Sequence, residues 1–78
     1  MKFIEAITEL MNSSERPMTK AELARKRGVK PQSINTLFAN QKRISLDVAS
    51  STARAMDYRL VLMPYGTKLP ADSYEIDG

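Results

Sequence analysis

At 78 residues, with a formal net charge of +3, the chain has room for one small hydrophobic core, of the size at which domains are only marginally stable. It contains no His and no Cys, which removes imidazole bases, thiol nucleophiles, disulfides and the usual zinc ligands. Its three glycines are isolated, so there is no glycine-rich phosphate loop, and no serine has an evident activating base; no enzyme, cofactor or metal site is expected.

The first predicted element is an amphipathic helix carrying Phe3, Ile4, Ile7, Leu10 and Met11, ending near Asn12-Ser13-Ser14. Its acids, Glu5 and Glu9, exclude a signal-peptide core, and no apolar run approaches the length needed to span a membrane. Two short helices follow within residues 19–39, TKAELARKRGVKPQSINTLFA. Thr19 is a good N-cap for the first. Leu23 and Ala24 face inward, the small Ala24 allowing the next helix to cross closely. Gly28 can take the left-handed conformation that ends a helix, and Val29 plugs the turn. Pro31 suits the first turn of the second helix, where its missing N–H costs nothing. Ile34, Leu37 and Phe38 make its apolar stripe. This is the pattern of a helix-turn-helix, in which one helix braces another for the major groove of DNA.

The other face of that second helix carries Gln32, Asn35, Thr36 and Ala39, short and uncharged. Gln and Asn can pair with an adenine edge, and Thr or Ala can touch a thymine methyl. A helix facing only solvent would more usually carry Glu and Lys pairs. From Arg16 to Arg43 there are eight basic residues and one acid, a net of +7, while the rest of the chain nets −4. The small total hides a strong asymmetry, the footprint of a phosphate-binding surface. Lys20 falls in the first turn of the brace helix, where backbone amides also favour phosphate, and Lys42 and Arg43 follow the reading helix in a loop that could clamp the backbone.

Ser45 is the predicted cap of a fourth helix from Leu46 to about Met56, offering Leu46, Val48, Ala49, Ala53 and Met56 to the core. Tyr58-Arg59-Leu60-Val61-Leu62-Met63 then reads as a β-strand covered on both faces and ended by Pro64. A strand needs a partner. Ser73-Tyr74-Glu75-Ile76 is a weak internal candidate; the favoured one is the same strand of a second molecule, antiparallel across a two-fold axis. Residues 67–78 read as a polar tail. Its acids Asp72, Glu75 and Asp77 lack the ligand pattern of a calcium hand.

Residues 3–57 resemble the lambda-repressor-like (Cro/repressor, or Xre) helix-turn-helix family: Ala24, Gly28, Val29, Ile34 and Leu37 match its packing positions in register, and Leu37-Phe38-Ala39-Asn40 with Gln41-Lys42-Arg43 match the end of its third helix and the phosphate-contacting loop. The resemblance implies a mainly α, four-helix DNA-binding domain over 1–57, with a strand over 58–66 as dimerisation element, since some members, antitoxins among them, end in such a strand. It implies base reading by Gln32, Ser33, Asn35 and Thr36, and backbone binding by Thr19, Lys20, Lys30, Lys42 and Arg43. Dimerisation falls to Tyr58, Leu60, Val61, Leu62 and Met63. The sequence departs from the family pattern at Lys30, where a Ser or Thr cap is common, at Pro31, where a base-reading Gln is common, and at Arg27, where an apolar residue usually packs.

The expected function is therefore that of a sequence-specific transcriptional regulator of bacterial or phage type. It would repress by covering an operator as a homodimer, and work on double-stranded DNA in the cytoplasm and nucleoid of a bacterial host. Two alternatives use the same scaffold against a protein: an antitoxin that also represses its own operon, and a phage anti-defence factor that docks on a host protein. Fold does not decide among these.

Overall fold

The computed structural model of the chain describes residues 1–13, 17–40 and 44–76. Helix α1 (Phe3–Met11) buries Ile4, Ala6, Ile7 and Met11, a stripe at helical spacing. The Lys2 amide donates to Glu5 Oε1 at 3.1 Å, satisfying a donor that the helix start would otherwise leave open. Beyond the end of α1 the Met18 amide returns to the Met11 carbonyl at 2.9 Å, which aims the chain into the next helix.

Helix α2 (Lys20–Arg27) begins on a reciprocal cap. The Glu22 amide donates to Thr19 Oγ1 at 3.1 Å, and Glu22 Oε1 accepts from the Thr19 amide at 3.2 Å. It ends at Gly28, φ +71°, with the Gly28 amide on the Arg25 carbonyl (3.1 Å) and the Val29 amide on the Ala24 carbonyl (3.0 Å). This double closure needs a left-handed residue, which glycine supplies without strain. Helix α3 (Pro31–Ala39) starts on Pro31 with no side-chain cap from Lys30. Helix α4 (Leu46–Ala55) is capped by Ser45, whose Oγ accepts from the Val48 amide at 3.2 Å. Its end repeats the α2 closure with Asp57 at φ 63° in the left-handed position, the Asp57 amide on the Arg54 carbonyl (3.0 Å) and the Tyr58 amide on the Ala53 carbonyl (2.8 Å).

Helix α2 packs against both α3 and α4. The core joins Ile7 and Met11 of α1, Leu23 and Ala24 of α2, and Ile34 of α3, with Phe3, Leu10, Met18, Val29, Phe38, Ala55 and Met56 packed around it. Helix α4 contributes small residues, Ala49 and Ala53, and a fully buried Thr52 whose hydroxyl donates to the Val48 carbonyl at 2.7 Å. Leu46, expected in the core, is 75 % exposed. It is the first residue of α4, and the buried stripe begins only one turn later, at Ala49.

Within the single chain the expected strand is absent: among the described residues there is no β-strand, and no backbone hydrogen bond joins 59–63 to another segment. Nor is this segment covered on both faces, since Leu60, Val61, Leu62 and Met63 are all exposed, Leu62 completely. The internal partner is diverted. A turn at 64–67, with Gly66 at φ 90° and the Thr67 amide on the Pro64 carbonyl (3.1 Å), reverses the chain. Ser73 then folds onto the Pro70 carbonyl, and Tyr74 packs its ring on Tyr58, centroids 6.2 Å apart and tilted by 52°. Side-chain packing, not a ladder, returns the tail to the helical body.

That contact has a pH dependence. Desolvation, then the charges of Tyr58, Glu9 and Asp72, raise the Tyr74 hydroxyl above its ordinary 10.0. The docked state thus favours the neutral phenol. Its stabilisation is complete below pH 10.0 and is lost as pH rises through the raised value. Tail amides followed by NMR should keep their docked shifts at neutral pH and move toward free-chain values in strong alkali. Tyr74→Phe should delay that release; release at an unchanged pH would contradict the assignment.

Candidate nucleic-acid interface

The residues of α3 divide as its helical period requires. Ile34 and Leu37 are buried and Phe38 half-buried, while Pro31, Gln32, Ser33, Asn35, Thr36 and Ala39 are exposed. The four expected base readers therefore lie together on the accessible side of one nine-residue helix. Two of them, Asn35 and Gln32, carry amides able to donate and accept at once. Because α3 is braced by α2 through Leu23, Ala24 and Ile34, which are at most 1 % exposed, this face is presented on a packed support.

The expected backbone contacts are placed less uniformly. Lys30 is exposed at the start of α3. Lys20 sits with its ammonium 4.7 Å from the centre of the Phe38 ring, a cation–π contact that ties the first residue of α2 to the last turn of α3. Phe38 thus has a second use that its place in the apolar stripe did not reveal: it holds a cation at the last turn of α3. Thr19 is committed to its cap, its hydroxyl also donating to Glu22 Oε1 at 3.2 Å. The Glu22 carboxylate consequently occupies the anion-favouring start of α2, so a phosphate there would have to approach a negative group. Lys42 and Arg43 lie outside the described residues.

Of the expected dimerisation residues, Tyr58 is half-buried against Tyr74, and Leu60 to Met63 lie in an exposed segment without regular secondary structure. No helix among the described residues is long and apolar enough to cross a membrane.

No family model matches the chain, and no curated protein or solved structure is significantly similar to it. The side chains of α3 and their surroundings are therefore what supports a functional reading.

Proposed function

We propose that this protein is a sequence-specific DNA-binding transcriptional regulator that represses by covering an operator as a homodimer. The observation that carries the reading is the exposed, uncharged polar face of α3, set in a stretch of net +7 between Arg16 and Arg43. An uncharged hydrogen-bonding edge among cations suits base readout between phosphate contacts. Gln32, Ser33, Asn35 and Thr36 set sequence preference in this account, and Lys20, Lys30, Lys42 and Arg43 supply general affinity, with Thr19 fixing the start of α2. The segment from Tyr58 to Met63, exposed from Arg59 onward, joins two copies as antiparallel strands. A two-fold dimer holds its reading helices roughly 34 Å apart, matching successive major grooves.

Selection of bound duplexes from a random pool at two salt concentrations tests this directly. A defined, two-fold symmetric consensus that survives higher salt is the expected result; a pool that stays random overturns it. Gln32→Ala should cost about 1–3 kcal/mol on the selected duplex and relax preference at one base position. Lys42→Ala should weaken all duplexes alike and reduce the salt slope by about 0.9. Indistinguishable behaviour of the two variants across sequences would contradict the division of roles.

The fully exposed Leu62 and Tyr65 favour a second reading, in which a partner protein covers this segment and the chain is an antitoxin that also represses. A complex of fixed stoichiometry from the native host, with Leu62 protected within it, would favour that reading over the homodimer.

A further inference from the structure

A second cluster of cations lies apart from the α3 face. The last turn of α2 and the body of α4 enclose a cleft of about 440 Å³, lined by Lys26, Arg27, Asp47, Ser50, Ser51 and Arg54. Three of these side chains are cations, two are hydroxyls and one is an acid. At its wall stands Arg27, half-buried, with Nε fully enclosed and without a hydrogen-bond partner. The two terminal nitrogens of a guanidinium present a planar pair of N–H groups spaced for two oxygens of one anion.

We propose that the α2–α4 cleft binds a phosphate group, with Arg27 seating two of its oxygens, Arg54 and Lys26 neutralising its charge, and Ser50 and Ser51 donating to the remainder. The net charge of the lining, +2 after Asp47 is counted, matches a phosphate dianion better than a single carboxylate. The negative end of the α2 dipole opposes an anion here, but three basic residues, Arg25, Lys26 and Arg27, occupy that turn and outweigh it. Two sources supply this chemistry: a small phosphorylated metabolite, which would make the cleft an effector site, or the backbone of a duplex. The site uses none of the base-reading residues and stands whether or not α3 reads DNA.

The test follows arginine Nε–Hε signals of the full-length labelled chain while inorganic phosphate is added, with chloride at matched ionic strength as control. Arg27→Gln identifies the Arg27 signal by its loss, and backbone amide spectra verify that each variant folds. The expected result is a saturable movement of the Arg27 signal with phosphate and not with chloride. Arg54→Gln should raise the Kd for phosphate by about tenfold, the effect of one charge-assisted contact. A second arm adds duplex oligonucleotide. If the duplex moves the same signal and phosphate competes with it, the source is the DNA backbone. If phosphate saturates the cleft equally with duplex present or absent, the source is a small molecule. The proposal is overturned if phosphate produces no saturable shift, if chloride does the same, or if Arg54→Gln leaves the Kd unchanged.

Discussion

Ile34→Ala should lower the free energy of unfolding by about 2–5 kcal/mol, a large share of what a domain of this size possesses. Ile34 is completely buried and sits where α3 meets Ile7 and Met11 of α1 and Leu23 and Ala24 of α2. Truncation there removes apolar burial and leaves a void among neighbours already in contact. Leu46→Ala is the internal comparison: an equal-looking change at a residue 75 % exposed, expected within about 0.5 kcal/mol of wild type. Urea unfolding should show a lower midpoint for Ile34→Ala at an unchanged slope. If Leu46→Ala were the more damaging of the two, the packing of α3 and α4 described above would be wrong.

Leu62→Asp should leave the helices intact and abolish assembly. The side chain is 100 % exposed, so the single chain loses no packing when it is replaced. In a pair of antiparallel strands, a carboxylate at this position would face its counterpart or an apolar neighbour across the two-fold axis, and either arrangement is costly. Sedimentation at micromolar concentration should give a dimer for the wild type and a monomer for the variant. With one reading helix per molecule in place of two, affinity for the selected duplex should fall by about a hundredfold or more, through loss of effective concentration without loss of any base contact. A wild-type protein that remains monomeric at high concentration, or a variant that binds duplex as tightly, would remove the dimer from the account.

The helical part of the molecule was legible because its boundaries are set by local chemistry. Thr19, Gly28, Pro31 and Ser45 each satisfy or spare particular backbone groups, and the helices begin and end at them. The division of α3 into buried and exposed faces follows from its period alone. What eluded the sequence depends on distant chain. The composition of Tyr58–Met63 suits a strand, yet β structure requires a second backbone, and the single chain folds the only internal candidate onto Tyr58 through Tyr74 instead. Leu46 satisfies the helical pattern but lies before the buried stripe, and periodicity does not say where a neighbouring helix stops. The Lys20–Phe38 contact and the enclosed Nε of Arg27 are likewise relations between elements. The capping box of α2 was half visible: Thr19 announced it, but the consequence of the Glu22 carboxylate for phosphate binding emerges only from the geometry.

The central claim is that the exposed side of α3 reads duplex DNA, and an NMR titration of the labelled full chain with the selected duplex tests it most directly. The account predicts that the amide signals of 31–39 and the side-chain amides of Gln32 and Asn35 move most, and that an unrelated duplex moves them less. Signals of α3 that stay still while another surface responds would contradict it.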